Sequence, residues 1–404
     1  MITPTDTLQN LPPYIFMHLV ELKRQAKDKG RDIIDLGMGN PDIPTPAHIR
    51  DALKVAVDDQ STHRYPLHEG LLAFRQAVSD FYARRFSVTT DPQKEVLALI
   101  GSKEGLGHML FALTNPGNTI IVPSPAYPAH TYAPFLARVK THWAPLKEEN
   151  EWMLDFGAIP NKVLSKAKLM ILNYPNNPTG AVVRDDAYLR EALKLAKRHG
   201  FLIVYDNAYS EITFDGYTAP SILEGKDAKK YAVEFNSMSK TYSMCGWRIA
   251  YALDNDKALA YLKKFKSFLD YGVPEFIQRA AIAALTGGGE REMAKIYERR
   301  RDAFMAAVLA HAGWYMPKVS GSMYLWAKLP KQYAKKGSFD FVKKLLLETG
   351  VCLSPGTGFG KEGEGYVRIA LVASEERLAE AAKRIGVFLS PGKPTADRSA
   401  VLAA

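Results

Sequence analysis

Val233 to Leu253 reads VEFNSMSKTYSMCGWRIAYAL. The apolar run from Tyr231 to Phe235 predicts a strand. A hydroxyl-rich loop, Ser237-Met238-Ser239-Lys240, is expected to follow it. A second apolar run, Ile249 to Leu253, is introduced by Gly246-Trp247-Arg248. A lysine between two such runs is held near the interior. An amine stripped of its water there is a nucleophile towards aldehydes and a proton acceptor. Ser237 and Arg248 flank it with a hydroxyl donor and a guanidinium fork, the groups that grip a phosphate.

With 53 Lys plus Arg in the chain, a solvated surface charge is the plainer account of any one lysine. The length of the pattern sets Lys240 apart: Ser-x-Ser-Lys-x-x-Ser-Met-x-Gly-x-Arg-Ile-Ala runs from Ser237 to Ala250. A reactive lysine beside a phosphate grip is what pyridoxal 5'-phosphate requires, and the pattern resembles the attachment signature of that cofactor in the class I and II aminotransferases of fold type I. The resemblance extends over about residues 10–390. It is nearest to the bacterial glutamate–pyruvate (alanine) transaminases and the LL-diaminopimelate aminotransferases, through the stretches LPPYIF, MGNPD, GSKEGL, YPNNPTG, SMYLWAKLP and VCLSPGTGFG.

The bulk properties agree with an enzyme of this kind. A chain of 404 residues is expected to form two domains. It is 47% hydrophobic and 24% charged, ordinary for a soluble globular protein. No apolar run approaches the roughly 18 residues of a spanning helix, and the N-terminus lacks the pattern of a secretory signal. Only Cys245 and Cys352 occur; neither has metal-ligand spacing, so no metal is expected and a reducing cytoplasm is. The net charge of +10 is dispersed among acidic residues, as in EREMAKIYERRRD. That argues against nucleic acid or membrane partners and for small anionic substrates.

The rhythm of the chain predicts an α/β fold. An N-terminal arm, residues 1–45, carries one helix over Ile15–Lys29 and a tight loop at Gly37-Met38-Gly39-Asn40-Pro41, and joins the small domain. A large domain, 46–286, alternates strands at Val96–Ile100, Thr119–Val122, Lys168–Leu172 and Phe201–Tyr205 with helices. These include an amphipathic one over Leu71–Phe86 and one opening after Gly101-Ser102-Lys103. Such alternation implies a mostly parallel, doubly wound sheet with ligands at the carboxyl ends of its strands. A hinge at Gly287-Gly288-Gly289 leads into a smaller α+β domain, 287–390. The Pro- and Gly-rich tail, 391–404, is expected to be disordered.

Each candidate residue also has an everyday reading. Gly and Ser before a helix offer either an anion site or an ordinary N-cap. Asn177 suits a turn, Tyr127 a core, and Tyr65 a half-buried ring. Asp206 ends an apolar strand, where a charge is costly unless paired; Arg368 lies inside another.

The resemblance supplies roles. It implies that Lys240 holds the cofactor and moves the substrate proton, and that Asp206 pairs with the pyridine nitrogen. It gives Asn177 and Tyr209 to the phenolic oxygen and Tyr127 to the ring face. Ser102, Lys103, Ser237 and Arg248 would hold the phosphate, with Tyr65 reaching over from the second subunit of a homodimer. Arg368 would bind the α-carboxylate, assisted by Gly39 and Asn177. The implied activity is ping-pong transfer between an L-amino acid, alanine or glutamate first, and pyruvate or 2-oxoglutarate. LL-Diaminopimelate, aromatic or other amino donors and a C–S lyase are alternatives. A transcription regulator would need a helix-turn-helix ahead of the MGNPD loop, where only about 30 residues stand.

Overall fold

The computed structural model describes residues 2–11 and 14–390; the tail expected to be disordered lies outside the described residues. In chain order the strands are β1 (Ile34–Asp35), β2 (Val96–Leu99), β3 (Thr119–Ser124), β4 (Lys140–Pro145), β5 (Ala167–Asn173), β6 (Leu202–Asp206), β7 (Ala232–Ser237), β8 (Ala250–Leu253), β9 (Tyr324–Lys328), β10 (Val351–Cys352), β11 (Ser354–Pro355) and β12 (Tyr366–Ala370).

Seven of them form one sheet in the order β2-β8-β7-β6-β5-β3-β4. β8 runs antiparallel to β2 and β7, and every other pair is parallel. The mostly parallel α/β expectation is met. Strands covered on both faces read as nearly continuous apolar runs, and period 2 sends alternate residues to opposite faces. Ile203 and Tyr205 accordingly join one core with Met170 and Leu172. Val204 joins the other with Leu169, Ile171, Val233 and Phe235.

The second, smaller sheet has the order β11-β12-β9, all antiparallel. Its core takes residues from the helix Ile15–Asp28, the long helix Glu290–Ala312 and the helix Glu375–Leu389. It also takes Ala208, Tyr209, Ile212 and Phe214, which follow β6. The N-terminal segment is pinned there by β1, which pairs in parallel with β10 through Ile34 and Val351.

Four expectations need correction. Ser237–Lys240 is not a loop: Met238–Thr241 is one helical turn, capped by the Ser237 hydroxyl, which accepts from the Ser239 N–H at 3.1 Å. The arm carries a further short helix, Asp6–Gln9, with Thr5 as its N-cap. Strand β4, which the sequence reading left out, is an edge strand in which only Ala144 is buried, without the apolar run that marks its neighbours. Tyr65 is 81% exposed rather than half-buried, its ring stacked on Tyr271 at 4.3 Å.

Two packing features set the geometry at the strand ends. Gly105 lets the helix Ser102–Leu113 lie close on the sheet, since a Cβ there would stand 2.5 Å from a Leu99 methyl and 2.8 Å from the Phe235 ring. Behind β7, the buried Glu234 carboxyl accepts from Ser221 Oγ at 2.6 Å, Tyr82 OH at 2.7 Å, Asn207 Nδ2 at 2.9 Å and the Ile222 N–H at 3.1 Å. Burial outweighs these bonds and pushes its pKa up to about 7.

Gly105→Val should therefore overpack the helix–sheet contact and cost about 1–3 kcal/mol, read from the urea midpoint. The raised pKa of Glu234 means that the folded state favours its protonated form. Its contribution is present in full below the unfolded carboxyl value and is lost as pH rises through about 7. Glu234→Gln should remove that decline, of order 3 kcal/mol between pH 4.5 and 7, in stability curves taken across that range.

Candidate active site

The parallel strands β5, β6 and β7 end on the same edge of the sheet with Asn173, Asp206 and Ser237. β2 runs the same way, because β8 lies antiparallel between it and β7. The Gly101-Ser102-Lys103 turn after β2 therefore opens on that edge too. A cavity of about 260 Å³ lies there. Lys240, Asp206, Tyr209, Ser102, Lys103, Tyr127, Asn177, Ser237, Arg248, Gly39 and Arg368 all contribute to its lining. Of the residues singled out from sequence, Tyr65 alone is not part of the lining.

Lys240 is half-buried, and its Nζ donates to the Gly39 carbonyl at 2.6 Å. The one-turn helix after β7 holds it at the cavity. Asp206 is 4% exposed and is bonded to His130 Nε2 at 2.9 Å, with no ion pair to a lysine or arginine among the described residues. Its backbone carbonyl accepts from Asn173 Nδ2 at 2.7 Å, and Asn173 Oδ1 in turn accepts from the Asn177 N–H at 2.9 Å. That chain of bonds ties the YPNNPTG loop to the end of β6.

The helix Ser102–Leu113 presents its first N–H groups, which have no partner within a helix. Gly101 is required: its φ is +118°, and a Cβ would stand 2.1 Å from an Arg248 terminal nitrogen. The guanidinium thus lies directly over that turn, steadied by a bond from Arg248 Nη1 to the Cys245 carbonyl at 2.7 Å. Backbone amides at a helix start, the Ser237 hydroxyl and a guanidinium make an anion site.

Arg368, 4% exposed, projects from β12. It donates to Asn177 Oδ1 at 2.9 Å and to the Gly37 carbonyl at 2.8 Å, and has no carboxylate partner among the described residues. Its Nε has no hydrogen-bond partner among the described residues. Aromatic rings of Tyr324 and Phe359 lie 4.2 and 4.6 Å from its guanidinium carbon. A buried guanidinium satisfied by neutral acceptors and rings keeps its charge available for an incoming carboxylate.

Sequence reasoning missed several participants. Tyr14, Phe16 and Met38 enter from the N-terminal segment, and Cys245 and Tyr324 also line the cavity. His130 supports Asp206 from the helix Pro128–Leu136, three residues after Tyr127. That spacing places it one helical turn along, the one local signal that could have found it. Tyr209 OH meets Tyr324 OH at 3.1 Å. Burial raises the Tyr209 phenol well above its ordinary pKa. Burial acts on Tyr324 in the same sense, but the Arg368 and Lys240 charges and the bond from Tyr209 outweigh it and leave that phenol below its ordinary pKa.

Known proteins carry the same architecture. The family model for aminotransferase class I and II matches residues 31–385. The LL-diaminopimelate aminotransferase of Moorella thermoacetica is 43% identical over 380 residues, 94% of this chain and 96% of that protein. Substrate-bound BacF from Bacillus subtilis has a TM-score of 0.91 at 39% identity, over 96% of this chain and 98% of that one. A probable N-succinyldiaminopimelate aminotransferase from Thermus thermophilus has a TM-score of 0.86 at 40% identity, over 92% and 99%. With a half-buried lysine, a buried aspartate and an anion site around one cavity, the chain belongs to the class I and II aminotransferases, transaminases that work with pyridoxal 5'-phosphate.

Proposed function

We propose that this chain moves an amino group between L-alanine or L-glutamate and pyruvate or 2-oxoglutarate, through the cavity that Lys240 and Arg368 share. The donor set suits the cofactor. The Ser102 and Lys103 N–H groups, Ser237 and Arg248 would hold its phosphate, and Asp206 would meet its ring nitrogen. Asn177 and Tyr209 would meet its phenolic oxygen, and Tyr127 its ring face. When bound, the cofactor draws electrons from the substrate's Cα.

The protein's own contribution follows from the geometry. Asp206, a buried carboxylate backed by His130, keeps a proton on a ring nitrogen beside it. Arg368 takes the α-carboxylate in a two-pronged grip, leaving Asn177 and Gly37 as its orienting partners. Lys240 would hold the cofactor through its aldehyde carbon between turnovers. Once displaced by the substrate amine, its free amine would take the proton from Cα and deliver it to that former aldehyde carbon, which keeps the nitrogen while Cα becomes the carbonyl carbon of the oxo acid. Tyr14, Phe16 and Tyr324 exclude water from one side of the cavity.

The observation that carries the amino-acid reading is Arg368, a buried guanidinium in the cavity lining held by neutral acceptors and rings, which leaves its charge for an α-carboxylate. The curated relatives favour a second reading, transamination of LL-diaminopimelate.

The homodimer belongs to the same proposal. Tyr65, Leu67, Phe268, Leu269 and Tyr271 are large apolar residues more than half exposed. A second copy would cover them and bring Tyr65 to a neighbouring cavity.

A panel of amino donors with both oxo acids tests the substrate. Alanine with 2-oxoglutarate should give the highest kcat/KM, with ping-pong kinetics; a clear lead for LL-diaminopimelate moves the assignment to the second reading. Lys240→Ala should abolish turnover, and borohydride trapping followed by peptide mapping should place the adduct on residue 240 of the unaltered protein. Sedimentation should give twice the mass of one chain, and Tyr65→Ala should speed cofactor loss without separating the subunits.

A further inference from the structure

Tyr324 has no role in the assignments above beyond excluding water, yet it touches both halves of the cavity. In the register of β9 against β12, Tyr324 stands opposite Ala370 and Trp326 opposite Arg368. Opposite residues of an antiparallel pair, and alternate residues of one strand, share a face. Tyr324 therefore lies beside Arg368 on the face turned to the cavity. Its ring centre is 4.2 Å from the guanidinium carbon, a cation–π distance in a buried setting.

The same residue reaches beyond its own sheet. Its hydroxyl lies 3.1 Å from that of Tyr209, on the segment after β6. It also presses on the MGNPD loop, since a Cβ on Gly39 would stand 1.9 Å from it. The Gly39 carbonyl accepts from Lys240 Nζ. One side chain thus touches the carboxylate-binding arginine, the phenol assigned to the cofactor and the loop that orients the lysine.

We infer that Tyr324 is a positioning residue with two separable parts: its ring fixes the plane of Arg368 for the substrate carboxylate, and its hydroxyl fixes the Tyr209 phenol for the cofactor's oxygen. The inference deepens the transaminase reading and rests on it. The phenol pair supports it: either hydroxyl can donate across the 3.1 Å contact, and a Tyr324 that donates leaves the Tyr209 proton for the cofactor's oxygen. Through Tyr324, small-domain strand β9 meets the large-domain cofactor side within one hydrogen bond.

The two parts are tested with Tyr324→Phe and Tyr324→Leu in the cofactor-loaded protein. Three readouts are needed: the pH titration of the cofactor's visible absorbance, the apparent affinity for alanine in the single-turnover half-reaction, and the half-reaction rate with ethylamine, which has no carboxylate. Phe keeps the ring and loses the hydroxyl. It should move the titration midpoint by about half a pH unit or more while alanine affinity stays within about twofold. Leu loses both, and should in addition weaken alanine affinity about tenfold while leaving the ethylamine rate within about twofold of the Phe variant's. The inference is overturned if the two variants behave alike, or if ethylamine and alanine suffer equally. Unaltered protein that takes up no cofactor, or does not transaminate, overturns the transaminase reading instead. If it works normally and both variants match it, the role of Tyr324 alone is lost.

Discussion

Two charges that the protein does not neutralise by itself govern this structure. Asp206 and Arg368 are each 4% exposed. Among the described residues neither has an ion pair with a side chain of fixed opposite charge, only His130 for the one and neutral acceptors for the other. Burying a lone charge costs several kcal/mol unless bonds or a partner offset it. The fold accepts that cost at one cavity. It surrounds each group with neutral donors, acceptors and rings that hold it in place without cancelling it. A cation beside the one and a carboxylate beside the other would complete both.

The scaffold explains why these charges can be held so tightly. Parallel strands deliver side chains to one edge without any need for long loops. Asn173, Asp206 and Ser237 each follow directly from a strand whose other residues are locked in two cores. The rigidity of the sheet passes to the cavity through short bonds such as Asn173 to the Asp206 carbonyl. On the other side, β9 and β12 do the same for Tyr324 and Arg368.

Much of this was legible in the sequence. Continuous apolar runs marked β5, β6 and β7, and polar or glycine-rich residues at their ends marked the cavity. What escaped was decided at long range or by partial exposure. Strand β4 hides because an edge strand needs apolar residues at few positions, and Lys140-Thr141-His142-Trp143 shows no run. The turn at Met238–Thr241 reads as a loop because its hydroxyls suit a cap as well as a bend. Tyr14 and Phe16 come to the cavity from a segment pinned by β1, and Tyr324 from β9. LPPYIF and SMYLWAKLP, the stretches that hold them, carry the family resemblance, but no spacing in either assigns these side chains to the cavity.

The pinning of that first segment has a temporal side. Ile34 pairs with Val351, and Phe16 and Leu19 share a core with Leu378 and Ile385. A chain emerging from the ribosome can assemble the seven-stranded sheet from residues 96–253 while its opening helix still lacks most of the residues it will bury against. Domains tend to fold as they are made, and contacts of great sequence separation come late. The half of the cavity that holds Arg368 is thus born last, when the end of the chain returns to collect its beginning.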